Sequence, residues 1–362
     1  MKLKEFAATS TALYQDGISV YLRSPPGRGK TTTIKECVPL IGKALGKKLG
    51  ISTITGPNLQ PGDTVGFGIP KHTEKFSQMV FTLPFFWTTD EGKMLEEYDG
   101  GIIFVDEADK TDVDIKKVLG EMAESGRCGP HRLPPGWVVW MAGNRSEDRS
   151  GSTRELDHLI NRRLEINIHD DIDGWEEWAN KNRVHGDIIA FAKSNPDIVF
   201  PQKLPEKQGP FCTPRSLVKV GKLLVTLSGK PLEDAERLPT DDIAKELVAA
   251  GIGGPAAGQL FATLMLSAEL PAIEDIMADP MKAKLPSAPD AQMLVCYKLA
   301  SMSTKERLPN VVKYIERLPA DFSATFAKSV VNRDPAMVAQ PAMLDWCKRN
   351  NSLMSMMSQL GR

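Results

Sequence analysis

Residues Ile18 to Thr33 read ISVYLRSPPGRGKTTT, a short β-rich run that breaks into a Gly/Pro turn and then into a lysine followed by three threonines. The chemistry this spacing serves is phosphate binding. Backbone N–H groups from Gly27 to Thr31, turned inward at a helix N-terminus, would cradle an anion, with Lys30 reaching the β- and γ-phosphates and the Thr31 hydroxyl on Mg²⁺. Pro26, Gly27, Arg28, Gly29, Lys30, Thr31 and Thr32 thus form a candidate nucleotide loop. One residue departs from the G-x-x-x-x-G-K-[ST] pattern: Ser24 stands where the first Gly is expected, a position Ser can occupy unless positive φ is required. The plainer alternative is an ordinary turn before a helix, and the strand and helix patterns on either side argue against it.

After Gly100-Gly101 comes Ile-Ile-Phe-Val-Asp-Glu, residues 102 to 107. A strand buried on both faces would deliver Asp106 and Glu107 to its C-terminal edge, where open α/β sheets bind ligands. Asp106 would hold Mg²⁺ through water, and Glu107 would serve as general base toward the attacking water. Two acids that merely end a strand and cap a helix are the bland reading, which a phosphate loop upstream weakens. The next strand pattern, Val138 to Gly143, ends in Asn144. Its amide would orient the water or touch the γ-phosphate, although Asn at a strand end is also common turn chemistry. Arg162 and Arg163 precede a further strand pattern and Arg215 opens a helix. An arginine lent by a neighbouring subunit is worth ~10³–10⁵ in rate where related nucleotide hydrolases use one, and Arg215 would instead approach the γ-phosphate from the same chain's helical lid. For each arginine the default is a surface ion pair.

These residues need a scaffold that brings strand ends together. Apolar β-rich runs at Ile18–Leu22, Ile51–Ile54, Ile102–Val105, Val138–Met141 and Leu164–Ile168, with helical patterns between most of them, predict a mostly parallel α/β sheet. From Asp170 onward the pattern is helical, over 173–183, 185–194, 215–227, 240–250 and 256–270 and then in amphipathic stretches to the end. Pro-containing breaks at 200–214 and 277–289 are the expected linkers. The predicted organisation is a nucleotide-binding α/β core over residues 1–169, an α-helical lid over 170–270 and a helical C-terminal region over 271–362. Met354, Met356 and Met357 form a Met-rich end that fits a pliable docking surface or, more simply, a frayed or packed helix.

At 362 residues the chain calls for two or three domains, and its formal net charge of -1 gives no global basic field for nucleic acid. Five scattered cysteines, Cys37, Cys128, Cys212, Cys296 and Cys347, show no C-x-x-C spacing, which argues against a disulfide frame or zinc site. The N-terminus lacks a signal-peptide pattern and no run reads as a membrane span, so a cytoplasmic location is expected.

Loop, Asp-Glu strand, Asn strand end, paired arginines and lid arginine occur in the order that AAA+ ATPases use. Gly143 to Gly151, Leu159 to Arg162, Trp175 to Trp178 and Thr213-Pro214-Arg215-Ser216 narrow the similarity to the MoxR branch of that superfamily. The resemblance spans about Ile18 to Leu227. It implies a P-loop AAA+ core with a parallel sheet and an all-α lid, ATP and Mg²⁺ as cofactors, ATP hydrolysis, and a hexameric or open ring that remodels a partner protein. That partner is often one with a von Willebrand factor A-type domain. It also places Arg162 at the finger position, with Arg163 where the family often has Phe, and either arginine remains a candidate.

Two inserted segments complete the reading. Phe81 to Trp87, FTLPFFW, lies where this branch carries an insert, and an exposed Phe85-Phe86-Trp87 cluster would grip a polypeptide, with burial as the alternative. Arg127 to Trp137 would form a hairpin before the Asn144 strand, its Arg127, His131 and Arg132 a short basic patch. The competing function is a nucleic-acid motor or restriction-type nucleotide hydrolase on the same core. GTP is disfavoured by the lack of an Asn-Lys-x-Asp run.

Overall fold

The computed structural model describes residues 1–145, 161–205 and 208–350. The chain forms two compact units, Met1–Asp170 and a second that starts at Asp171.

In the first unit, β1 (Val20–Arg23), β2 (Leu49–Thr55), β5 (Gly100–Asp106), β8 (Trp137–Gly143) and β9 (Leu164–Asn167) make a five-stranded sheet in the order β2-β5-β8-β1-β9. Every pairing is parallel. The strands that the apolar runs predict are all present. Alternate residues along each strand feed two separate cores, as a pleat with both faces covered requires. Val20, Leu22, Ile102, Phe104, Val138 and Trp140 pack with Phe6 of α1 (Leu3–Gln15) and Ile34 and Ile41 of α2 (Lys30–Leu45). Tyr21, Ile103, Val105, Val139 and Met141 face the other way, onto Ile115, Leu119 and Met122 of α4 (Val113–Ser125). Between β2 and β5 lie α3 (Pro61–Val65) and an antiparallel hairpin of β3 (Gly68–His72) and β4 (Ser77–Phe81) that the sequence patterns did not announce. The predicted second hairpin is present as β6 (Arg127–Cys128) and β7 (His131–Arg132).

The second unit is helical throughout its described residues, from α5 (Ile172–Lys181), α6 (Gly186–Ser194) and α7 (Pro196–Val199) through α8 (Pro214–Leu227) to α9 (Asp242–Ile252). It continues with α10 (Gly254–Ala268), α11 (Ile273–Ala278), α12 (Pro289–Met302), α13 (Leu308–Ile315), α14 (Ala320–Arg333) and α15 (Pro341–Arg349). One cluster of buried residues runs from Ala179 to Cys347, so a single core serves both sides of Leu270. Trp175 and Trp178 pack on its margin.

Gly254–Ala278 is long and apolar enough by composition to cross a membrane, which corrects the expectation that no run reaches that length. In the fold it is broken between Ala268 and Ile273, and Leu260, Phe261, Leu264 and Ile276 are buried in the helical core. The α/β core followed by helices is the fold class that the sequence predicts. All five cysteines are buried and unpaired as disulfides.

Candidate functional site

Parallel strands end on the same side of a sheet, and the register here brings four strand ends level. Arg23 pairs with Gly143, Thr55 with Asp106, and Val105 with Met141. The residues just beyond them, Ser24, Gly56, Glu107 and Asn144, therefore share one edge. The loop from Ser24 to Gly29 leaves β1 there and turns into α2, whose N-cap Gly29 has φ 93. Gly27 is also in the left-handed region, at φ 75. A side chain would strain both positions, which accounts for the two glycines flanking Arg28.

Lys30, Thr31, Asp106 and Asn144 converge at this edge. The buried Lys30 Nζ donates to Ser24 O and Ser24 Oγ, each at 2.9 Å, and to Pro25 O at 3.2 Å. Asn144 Oδ1 accepts from the same ammonium at 3.4 Å. Thr31 Oγ1 donates to Asp106 Oδ2 at 2.7 Å, and Asp106 Oδ1 accepts from Glu107 N at 2.9 Å. The predicted positions thus form one contiguous polar cluster spanning three strand ends.

This donor set fits Mg²⁺. The ion prefers hard oxygen ligands and keeps several waters, so one or two protein oxygens beside phosphates suffice. Among the described residues no group of three or more His, Cys, Asp or Glu side chains is placed to hold a metal ion.

Glu107 has φ 52 and ψ 36, a left-handed conformation rare for a residue with a side chain, and its Oε2 lies 3.1 Å from Lys110 Nζ. Such backbone strain costs roughly 1–3 kcal/mol and clusters at functional corners. Gly56 packs against this corner: a Cβ there would stand 3.0 Å from Glu107 O and would collide with Thr111 Oγ1. A close approach of this kind leaves no trace in a one-dimensional pattern.

Arg28 pairs with Asp170, its Nε 2.6 Å from Oδ1 and its Nη2 3.4 Å from Oδ2. Both side chains are largely buried, and Asp170 is the last residue of the first unit. The sequence reading missed Ser24 as a lysine partner, Lys110 as the partner of Glu107, and Asp170. Only the i,i+3 spacing of Glu107 and Lys110 was readable beforehand.

The two adjacent arginines differ. The Arg163 guanidinium lies over the buried Tyr21 ring at 4.3 Å, with Nη1 3.6 Å from Met141 Sδ. Arg23 stacks on the same ring at 4.2 Å and pairs with Glu165. Arg162 is partly exposed and pairs with Glu124 at 3.1 Å. Arg215 occupies the first turn of α8 in the second unit, whose N-cap Thr213 accepts from Ser216 N.

Phe86 and Trp87 are buried at 0% and 2% exposure in the core beneath β5, while Phe85 is exposed. Burial, rather than the aromatic grip, is therefore the outcome for two of the three. Arg127 and Arg132 are exposed, and His131 lies 5.7 Å from Trp87, ring to ring. Ser146 to Ile160, which carry part of the family similarity, and the Met-rich end at Met354, Met356 and Met357 fall outside the described residues.

No family model matches the chain, and no curated protein matches it. Solved structures similar to it include a candidate ATPase from Cytophaga hutchinsonii, at 11% identity over 97% of this chain and 88% of that one, with a TM-score of 0.32. NtrX from Brucella abortus in complex with ADP gives 13% identity over 97% and 68%, with a TM-score of 0.39. A point mutant of RuvB from Thermotoga maritima gives 13% over 94% and 86%, with a TM-score of 0.32. At these values no residue role transfers from them to this chain.

Proposed function

We propose that this chain is a Mg²⁺-dependent ATPase of AAA+ type that works as a cytoplasmic oligomer and remodels a partner protein. The single observation that carries the reading is the Thr31–Asp106 hydrogen bond beside Lys30, because it joins the loop and the acidic strand in the arrangement phosphate chemistry needs.

Bound ATP would exchange its phosphate oxygens for the neutral acceptors that now surround Lys30, with the loop amides from Gly27 to Thr31 completing the cradle. Thr31 and Asp106 would hold the Mg²⁺, which supplies charge neutralisation across the phosphates. Glu107 accepts the proton of the attacking water once its carboxylate leaves Lys110. Asn144, hydrogen-bonded to Lys30, orients that water. Arg162 stabilises the transferring phosphoryl in an adjacent subunit, and Arg215 serves as the lid arginine. A ring with an arginine finger then makes hydrolysis depend on assembly, which is what a remodelling cycle requires.

The test is direct. Purified protein should hydrolyse ATP only with Mg²⁺, and Glu107→Gln should still bind ATP while turnover falls by ~10²–10⁴-fold, the usual size of general-base catalysis. Full turnover in that variant, or turnover indifferent to Mg²⁺, refutes the reading. Strong stimulation by DNA would instead favour the nucleic-acid motor.

A further inference from the structure

Between Phe67 and Phe85 the chain exposes Phe67, Ile69, Phe76, Met79, Val80 and Phe81 in one short stretch. All ten residues of β3 and β4 are exposed, on both faces of the hairpin. The two strands form a sheet of their own, so each has an outer edge that no described strand covers. A lone hairpin is marginal in water, and an apolar patch of this kind on a soluble protein marks an interaction site.

The two edges are not equivalent. Thr82 N donates to Phe67 O at 3.0 Å and Thr73 N to Phe76 O at 2.9 Å, which frames the ladder at both ends. In an antiparallel pair, hydrogen-bonded and non-hydrogen-bonded positions alternate. Given the register Ile69↔Val80, Pro70↔Met79 and Lys71↔Gln78, the inward-bonding pairs are Ile69–Val80 and Lys71–Gln78. The main-chain groups of Gly68, Pro70 and His72 on β3, and of Ser77, Met79 and Phe81 on β4, consequently point outward. Pro70 has no N–H, so the outer edge of β3 lacks its central donor, a common means of blunting an edge. The edge of β4 has no such block.

Resting on the remodelling reading, we infer that the outer edge of β4 takes an extended polypeptide segment of the partner as a third strand. That segment is apolar along the part that meets Met79, Val80 and Phe81. It is acidic where it passes the turn, because Lys75 stands there and Lys71 extends from the neighbouring strand, against the one acid Glu74. Main-chain hydrogen bonds would supply affinity, and the apolar side chains would supply preference.

The experiment uses the full chain and fluorescein-labelled β-casein, an acidic unfolded protein, as probe. Met79→Ala keeps the outward N–H and should weaken casein binding two- to threefold. Met79→Pro removes it and should weaken binding about tenfold or more, the scale of a lost hydrogen bond with its neighbour left unpaired. Because Met79→Pro risks misfolding, a second arm leaves the protein intact. A synthetic Val/Ile strand ending in two glutamates should bind, and its copy N-methylated at alternate residues should bind at least tenfold more weakly.

Equal losses in the two Met79 variants, equal binding of the two peptides, or no casein binding by the unaltered protein overturns the inference. So does sedimentation showing that Met79→Pro dissociates an oligomer while casein still binds, since a second copy then covers the edge. ATP hydrolysis is measured on the same preparation. Its absence with casein binding intact counts against the ATPase reading alone, and its presence without casein binding counts against the β4 edge alone.

Discussion

The Thr31 hydroxyl donates to Asp106 Oδ2 at 2.7 Å, joining the first turn of α2 to the end of β5 across 75 positions of sequence. This contact is where the two candidate phosphate motifs meet. Its other carboxylate oxygen is fixed by Glu107 N at 2.9 Å, so the acidic corner is held in one orientation before any ion binds. On the proposed reading, a preorganised hydroxyl and carboxylate would lower the reorganisation needed to accept Mg²⁺ with a nucleotide.

Asp106→Asn should therefore weaken ATP binding in Mg²⁺ by ~10–100-fold, the usual effect of altering a group that acts on a metal through water, and alter Mg²⁺-free binding far less. Lys30→Ala should abolish binding in both conditions, because the loop offers the phosphates its ammonium as the central cation. Titration calorimetry with and without Mg²⁺ separates the two. Equal losses in both variants under both conditions would remove Asp106 from the metal site.

Phe86 makes a sharp structural test. Its ring is fully buried and packs edge-on to Phe85 at 5.6 Å and tilted to Trp87 at 5.7 Å. Phe86→Ala should cost about 3–5 kcal/mol of stability through the cavity it leaves, whereas Phe85→Ala at the exposed neighbour should stay within roughly 0.5 kcal/mol. Urea unfolding measures both. A fully stable Phe86→Ala that loses only a partner's effect would restore the grip reading.

These two cases mark what the sequence made legible. The sheet was readable because β1, β5 and β8 carry dense apolar runs and the other strands lie between helical patterns, and the loop because Gly27, Gly29, Lys30 and Thr31 have a fixed local spacing that a phosphate cradle demands. The hairpin at Gly68 to Phe81 was not, because Gly68, Pro70, Lys71, Ser77 and Gln78 dilute the β pattern and neither face is buried to impose alternation. The burial of Phe86 beside an exposed Phe85 follows from a single 3₁₀ turn, which hydrophobicity along the chain does not resolve. The Arg28–Asp170 and Lys30–Ser24 contacts arise from chain reversals and have no spacing signature.

The helical unit should carry a pH dependence of its own. His185 is buried, its Nε2 lies 2.8 Å from Ala235 O, and its Nδ1 accepts from Asp187 N at 3.2 Å, an arrangement that suits the neutral ring. Burial holds its pKa below the ordinary 6.5, with Arg333 and Lys298 acting in the same direction and Asp187 against them. The unfolded chain thus takes up the proton first as pH falls. Stability that is fully present above pH 6.5 should decline below it, at up to about 1.4 kcal/mol per pH unit, until the folded-state pKa is reached. Urea midpoints between pH 7 and 5.5 should show this slope, and His185→Gln should flatten it. An unchanged slope in the variant assigns the effect to other groups.

The last prediction separates the two adjacent arginines. Arg163 is committed within its own subunit, stacked on the buried Tyr21 ring and beside Met141, and moving it would uncover that ring. Arg162 is held by a partly exposed pair with Glu124, and such pairs are worth at most about 1 kcal/mol, so a neighbour's phosphate can take it over. Arg162→Ala and Glu107→Gln should each be inactive as homo-oligomers. Mixed, a Glu107→Gln subunit lends its Arg162 to the intact Glu107 of an Arg162→Ala neighbour, and partial ATP hydrolysis should return. Arg163→Ala should instead lower stability and should not be rescued in the same mixture, because its role lies inside one fold. If the first mixture stays inactive while native mass spectrometry shows subunit exchange, and the Arg163→Ala mixture recovers, the trans-acting role belongs to Arg163.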